Sequence, residues 1–294
     1  MAKWLFSAPT PETASWPFPP LGISISPTAL SGGRALSAFV ILAVWLALFR
    51  RQDLRIARSD VPFLALFGVG GLAMVHFTYF KTISLTNVAT AILLEYLAPV
   101  IVLLVSVLFM KHRFTWALPA GVALSVAGCA LVVGAFGGGG IVVSPAGIMW
   151  GLLSAGFFAL YSLMGTVAAS RFSPYTTLVW GLGFAALFWL LVLKPTTVLA
   201  LFADPATAAA VLFMAVVSTI IPFAAFLTAL TYIAPTNATV TSTIEPFLAA
   251  LGAYLLFGES LSLVQVVGGI LVVAAIAVVQ LSERTPVPTL PPQD

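Results

Sequence analysis

Long apolar runs dominate this chain and decide what it can fold into. Hydrophobic residues make up 61% of the sequence and charged residues 7%, a balance far from that of soluble globular domains. Runs of about 20 apolar residues can cross roughly 30 Å of hydrocarbon as helices, where the backbone must satisfy its own hydrogen bonds. We therefore predict an all-α polytopic membrane protein with nine transmembrane helices: Pro27–Arg50, Pro62–Ile83, Asn87–Met110, Thr115–Phe136, Ala146–Ser170, Pro174–Lys194, Thr207–Ile233, Thr236–Phe257 and Ser262–Leu281.

The sequence also contains an internal repeat. Ser26-Pro27 recurs as Ser173-Pro174, and Pro99 recurs as Pro246, in both cases 147 residues later. If each copy crosses the membrane an odd number of times, the two copies are inverted relative to each other. Inverted repeats are typical of secondary transporters, whose substrate site lies near the bilayer midplane.

Basic residues set the orientation of the predicted helices. Apart from Lys3 and two candidates inside the spans, eight Lys/Arg residues fall on one face and only Lys194 falls on the other. The positive-inside rule makes the first face cytoplasmic, so these residues anchor the topology and are not a nucleic-acid-binding patch. The eight are Arg50, Arg51, Arg55, Arg58, Lys111, Arg113, Arg171 and Arg284.

Several motifs resemble those of one known family. The stretch Tyr79-Phe-Lys-Thr-Ile-Ser-Leu-Thr-Asn, the run Glu245-Pro246-Phe247 and the later Phe257-Gly258-Glu259-Ser-Leu-Ser are similar to the EamA family of the drug/metabolite transporter superfamily. The resemblance runs from Ser26 to Leu281. It implies ten helices in two inverted five-helix repeats, cytoplasmic termini, and a transporter of small metabolites, often an exporter of amino acids or related compounds.

The first helix that the family implies is degenerate here. Residues 1–25 contain five prolines, and each proline inside a helix removes a hydrogen bond at a cost of about 3 kcal/mol or more. We therefore predict four parts: a Pro-rich degenerate segment (1–25), a first EamA-like repeat (26–140), a second EamA-like repeat (141–282) and a short, disordered cytoplasmic tail (283–294).

Three ionisable residues are predicted to lie near mid-depth, about 10–14 Å from one membrane surface at 1.5 Å per residue. Charged groups are costly there, so each one suggests a function. Glu95 either binds a substrate amine, exchanges a proton for substrate, or pairs with Arg34. Arg34 either binds a substrate carboxylate, neutralises Glu95, or extends toward the interface. Glu245, directly before Pro246, either lines a gate or binding site or is satisfied by the hydroxyl groups of residues 241–243.

A histidine and several aromatic residues complete the candidate substrate site. His76 either relays protons or is a hydrogen-bonded structural residue. Aromatic side chains in the predicted spans either line a substrate pocket or pack in the interior and at the interface: Tyr79, Tyr96, Tyr161, Trp180 and Phe226.

The leading hypothesis is a secondary transporter that moves small molecules across a bacterial inner membrane by alternating access through a central polar-aromatic cavity. Amino acids match a carboxylate and a guanidinium in one layer, and a proton gradient is one source of coupling. The alternatives are efflux of drugs or lipophilic cations, and a transport-inactive membrane protein that lacks its first helix. An enzyme is not expected, because the chain has one Cys and two His and no nucleophile–base spacing. No metal or other cofactor is predicted.

Overall fold

The computed structural model describes residues 25–110, 115–135, 144–257 and 262–282. Every regular element in these ranges is helical. The predicted degenerate segment, apart from Ile25, and the predicted tail lie outside the described residues. The helices and two π-helical segments are α1 (Pro27–Phe49), α2 (Val61–Leu66), π1 (Phe67–Ala73), α3 (Met74–Leu85), α4 (Val88–Glu95), α5 (Ala98–Leu108), α6 (Ala117–Val132), α7 (Pro145–Ala169), α8 (Pro174–Val192), α9 (Pro195–Leu199), α10 (Pro205–Ala215), π2 (Val216–Ile220), α11 (Ile221–Ala229), α12 (Pro235–Ser242), α13 (Glu245–Phe257) and α14 (Leu263–Ser282).

Local sequence signals account for where these helices begin. The side chains of Ser26 and Ser173 each accept a hydrogen bond from the backbone N–H three residues on, and a proline follows each cap. Asn87, Ser144 and Asp204 cap α4, α7 and α10 in the same way. Such caps satisfy N–H groups that have no partner within the helix, and proline fits the first helical position because its missing N–H is not needed there.

Within the described residues, seven helical stretches are long and apolar enough to cross a membrane: Thr28–Phe49, Arg58–Leu85, Val88–Leu108, Pro145–Ala169, Pro174–Val192, Pro205–Ala229 and Leu263–Leu281. Helix α6 is apolar but shorter, with 16 residues. This is a polytopic helical membrane protein, as expected. The total of nine spans and the inversion of the repeats stay predictions.

Two of the predicted spans are each divided in the middle. A turn at Tyr96 and Leu97 separates α4 from α5, and a turn at Thr243 and Ile244 separates α12 from α13. Both breaks lie just before a repeated proline, Pro99 or Pro246. Because proline has no N–H, the helical bond to the carbonyl group four residues earlier cannot form.

The repeat is visible in the element boundaries. Helices α1 and α8 begin 147 residues apart, and so do α4 and α12, and α5 and α13. The segments π1 and π2 end at residues 73 and 220, which are also 147 apart. The two copies therefore share several helix starts, the ends of their π-helical segments and their mid-span breaks.

The chain forms two compact units that do not coincide with the two sequence repeats. Unit 1 contains residues 25–77 and 172–225, and unit 2 contains residues 78–171 and 226–282, among those described. Each unit contains residues of both repeats: within the described residues, unit 1 combines 25–77 of the first repeat with 172–225 of the second.

Glycines allow close helix packing inside each unit. In unit 1, a Cβ at Gly68 would collide with the carbonyl oxygen of Gly181. In unit 2, a Cβ at Gly128 would lie 2.8 Å from the carbonyl oxygen of Gly268, and a Cβ at Gly268 would lie 2.7 Å from that of Gly128. Small residues let membrane helices approach this closely, and the second pair joins α6 to α14.

Candidate functional site

Unit 2 holds both of the predicted mid-span carboxylates, and each stands at a helix break. Glu95 is the last residue of α4 and Glu245 is the first residue of α13. Ser154 donates a hydrogen bond from its Oγ to Oε1 of Glu95, at 3.2 Å. Tyr96 donates from its phenol to Oε2 of Glu245, at 2.8 Å. Because Tyr96 directly follows Glu95, this bond ties the two breaks together; we call Glu95 and Glu245 the carboxylate pair.

The two carboxylates differ in exposure. Glu95 is half-buried and its donor Ser154 is fully buried, whereas Glu245 is exposed although Tyr96, which contacts it, is buried. The proposed role of the hydroxyl groups of residues 241–243 as partners of Glu245 is wrong. Those hydroxyl groups donate to backbone carbonyl groups of their own helix, so each uses its single proton there.

Three aromatic rings form a cluster in the same unit. The Tyr161 ring centroid lies 5.5 Å from that of Phe226 and 6.3 Å from that of Phe158, and Phe158 and Phe226 are 5.8 Å apart. We call these three residues the ring cluster. Ser154, Phe158 and Tyr161 are spaced four and three residues apart on α7, so they share one face of that helix. The face that donates to Glu95 therefore also carries two of the three rings.

Tyr79, also in unit 2, occupies α3. Its ring packs against that of its neighbour Phe80, with 5.7 Å between the centroids, and the side chain is half-buried.

Arg34 lies in unit 1 and is buried. Its Nη2 donates to the carbonyl oxygen of Ser218 and to Oγ1 of Thr219, each at 2.8 Å, and its Nε donates to the same Oγ1 at 3.2 Å. Both partners belong to π2, where the helical bonding pattern shifts. The guanidinium therefore supplies hydrogen-bond donors to a π-helical segment.

The equivalent positions of the other repeat copy form an apolar contact. The residues 147 positions from Arg34 and Thr219 are Gly181 and Leu72, and a Cβ at Gly181 would lie 2.8 Å from Cδ1 of Leu72. The two copies thus bring the same positions together, but only one copy places a charge there.

His76 and Trp180 complete the predicted residues in unit 1. His76 is half-buried, its Nδ1 lies 2.9 Å from the carbonyl oxygen of Leu72, and its ring centroid lies 5.1 Å from that of Phe223. Trp180 packs against Phe184 at 6.0 Å between centroids. Its indole N–H is buried and has no hydrogen-bond partner in the part of the chain that the structure describes.

The structure adds residues that the sequence analysis missed. Ser154 and Phe158 share the face of Tyr161, and their spacing on a predicted helix is the signal that would have grouped them. Thr219 and Ser218 had no such signal, because they lie 185 and 184 residues from Arg34.

Comparisons with known proteins agree on the class of the chain. The model of the EamA-like transporter family matches it twice, over residues 4–134 and 145–281. The first match includes most of the segment predicted to be degenerate. A crystal structure with 21% sequence identity superimposes with a TM-score of 0.72, covering 89% of each chain, and supports the fold alone.

Relatives in other organisms carry transporter names. An uncharacterized inner membrane transporter of Salmonella typhimurium is 26% identical over 77% of this chain and 75% of its own length. An uncharacterized transporter of Archaeoglobus fulgidus is 29% identical over 71% and 74%. An aromatic amino acid exporter of Ancylobacter novellus is 32% identical, but over only 44% of each chain.

Proposed function

We propose, from the premise that this chain belongs to the EamA-like transporter family, that it is a secondary transporter exporting amino acids or related small metabolites by alternating access. We place it in a bacterial inner membrane, where the relative from Salmonella typhimurium is named as a transporter. Transport is proposed in preference to catalysis, because the relatives carry transporter names.

The observation that carries this proposal is the carboxylate pair at two mid-span helix breaks. A carboxylate inside the membrane is costly and is retained mainly where it lines a pathway or binds a ligand, and interrupted helices are typical of transporter binding sites. Within the described residues, the donors to the two carboxylates are the neutral hydroxyl groups of Tyr96 and Ser154, so neither donor brings a positive charge that would compete with a cationic ligand. We assign the carboxylate pair to the substrate ammonium group.

The ring cluster supplies the second half of the proposed site. Aromatic faces attract a nearby ammonium group and favour offset or tilted contact with another ring. Ser154 and two of these rings share one face of α7. If the ammonium group of an amino acid binds at Glu95, the side chain of that amino acid can therefore lie against the aromatic rings. This arrangement favours amino acids with an apolar or aromatic side chain, and the exporter relative from Ancylobacter novellus is named for aromatic amino acids.

Efflux of lipophilic cations is the second candidate, and the hydrogen bonds that Arg34 makes within unit 1 favour it. A zwitterionic amino acid also needs a partner for its carboxylate, and Arg34 was the sequence candidate. Its guanidinium donates to Thr219 and Ser218 within unit 1. A lipophilic cation needs only the carboxylates and aromatic surface.

The experiment is uptake into proteoliposomes that contain the purified protein, with a labelled panel of aromatic, aliphatic and polar amino acids and one lipophilic cation. Glu95→Gln and Glu245→Gln each remove a charge while keeping the side-chain shape, and Glu283→Gln in the tail is the matched control. Charged hydrogen bonds contribute about 1.5–3 kcal/mol, so we expect KM to rise roughly 10- to 100-fold in the first two variants and to stay unchanged in the control.

Each outcome decides between the candidates. Uptake of aromatic amino acids that both site variants weaken supports the proposal. Uptake of the cation alone replaces it by the second candidate. No accumulation of any compound by the wild type would refute both and support the transport-inactive alternative.

A further inference from the structure

The loop between α1 and α2 is held by one buried carboxylate. Asp53 is 5% exposed. Its Oδ2 forms an ion pair with Nε of Arg50 at 2.8 Å, and its Oδ1 accepts a hydrogen bond from Oγ of Ser173 at 2.6 Å. Oγ1 of Thr176 lies 3.4 Å from the same carboxylate. Because Ser173 is also the N-cap of α8, the loop is fastened to the first turn of that helix.

Of the four arginines between α1 and α2, only Arg50 pairs with Asp53 in the described residues. The Arg50 guanidinium is paired with Asp53 and lies 4.8 Å above the ring of Tyr175. Arg51 donates from Nε to the carbonyl oxygen of Ala47, at 2.7 Å. Its Nη atoms are not needed for that bond.

Arg55 and Arg58 are exposed. Within the described residues, neither side chain makes a hydrogen bond or an ion pair. We call Arg51, Arg55 and Arg58 the loop arginines; all three are exposed and lie within eight consecutive residues.

The position of the loop arginines places them at the edge of the hydrocarbon. The last turn of α1 exposes Leu48 (67%) and Phe49 (71%), as expected for side chains that face lipid tails. The next candidate span begins at Arg58. Guanidinium groups between two such spans stand at the level of lipid headgroups, on the face that the charge distribution predicts to be cytoplasmic.

We propose that the loop arginines bind the phosphate groups of anionic phospholipids in the membrane leaflet that they face. The guanidinium group matches phosphate oxygens in geometry and charge, and basic clusters next to a membrane span attract anionic headgroups. The paired Arg50 holds the loop in place, while the loop arginines make the contact. This role concerns lipid binding at the protein surface and does not depend on which substrate is transported.

The size of the effect follows from the number of charges. Each arginine near an anionic surface contributes about fivefold in affinity. Removing two should therefore weaken binding roughly 25-fold, and high salt should reduce the difference because exposed charges are screened beyond about 10 Å at 0.1 M ionic strength.

The test measures binding of short-chain phosphatidylglycerol, short-chain phosphatidylcholine and inorganic phosphate to the full chain in a neutral detergent, by native mass spectrometry. The variant Arg55→Gln/Arg58→Gln is compared with Lys81→Gln/Lys194→Gln, which removes the same number of positive charges elsewhere. Arg55→Lys/Arg58→Lys keeps the charge and reports whether the loop tolerates substitution. Each variant is first checked for an unchanged melting temperature.

We expect the wild type to prefer phosphatidylglycerol to phosphatidylcholine and to lose that preference only in Arg55→Gln/Arg58→Gln. The lysine-for-arginine variant should retain most of it. Equal losses in the two glutamine variants would show a general charge effect and overturn the proposal. Phosphate binding as tight as that of phosphatidylglycerol would replace the lipid by a soluble anion, and no preference in the wild type would remove the site.

Discussion

The contact between Gly128 on α6 and Gly268 on α14 can be tested with a single methyl group. A Cβ at Gly128 would lie 2.8 Å from the carbonyl oxygen of Gly268 and from Cγ2 of Val272, and 2.9 Å from the backbone N of Val272. Two of these three atoms belong to the backbone, so a side-chain rotation cannot relieve the contact and the helices must separate. Gly156 on α7 is a suitable control, because a Cβ there meets nothing within 4 Å.

Gly128→Ala and Gly156→Ala gain the same helix propensity, about 1 kcal/mol, so their difference isolates the steric term. Inserting a group into a closely packed contact costs about 1–3 kcal/mol. At roughly 2–4 °C per kcal/mol, the melting temperature of Gly128→Ala should lie roughly 2–12 °C below that of Gly156→Ala. The assay is thermal unfolding of both purified variants in the same detergent.

The comparison has a clear negative result. If the two alanine variants unfold at the same temperature, the two helices do not approach each other as closely as described. A lower value for Gly156→Ala would contradict the reasoning more strongly, because it would place a packing contact where the structure leaves open space.

Three further predictions follow from single contacts. Tyr96→Phe removes the donor to Glu245 and should change the KM of the transported compound by about tenfold in the proteoliposome assay. The melting temperature should not fall by more than a few degrees, and an unchanged KM would exclude a role for this bond in transport. Hydrogen bonds from the side chain and the backbone of Thr207 lower the pKa of Asp204. The charged carboxylate therefore stabilises the folded state above the unfolded pKa of about 3.9, and this stabilisation is lost as the pH falls through the lower folded pKa. The difference in unfolding free energy between wild type and Asp204→Asn should shrink between pH 6 and pH 3, and a constant difference would refute this. Cys129 is fully buried and should react with a maleimide only after unfolding, which mass spectrometry detects; rapid labelling of the native protein would contradict its position.

The helix starts could be predicted because their causes are local. Ser26 and Ser173 stand directly before a proline and an apolar run, and a cap bonds only to its own first turn. The same reasoning did not predict the break at Tyr96 and Leu97, although Pro99 was its signal.

The orientation of each side chain around its helix could not be read from the sequence. In a soluble helix the polar face marks the solvent, but here both the packed face and the lipid-facing face are apolar. The sequence therefore did not predict the hydrogen bond from Ser154 to Glu95 across 59 residues or the Tyr96–Glu245 bond across 149 residues.

Composition, caps, charge distribution and the 147-residue repeat determine by themselves that this chain is a helical membrane protein of two similar copies. Each of these signals acts over one helix or repeats at a constant spacing, so the order of residues is enough to show it. Only the tertiary structure decided that Arg34 donates hydrogen bonds to π2, that Asp53 fastens the arginine loop to α8, and that the carboxylate pair shares a unit with the ring cluster. These outcomes depend on which helix faces pack together. The sequence does not show this, because the packed face and the lipid-facing face of a membrane helix are both apolar.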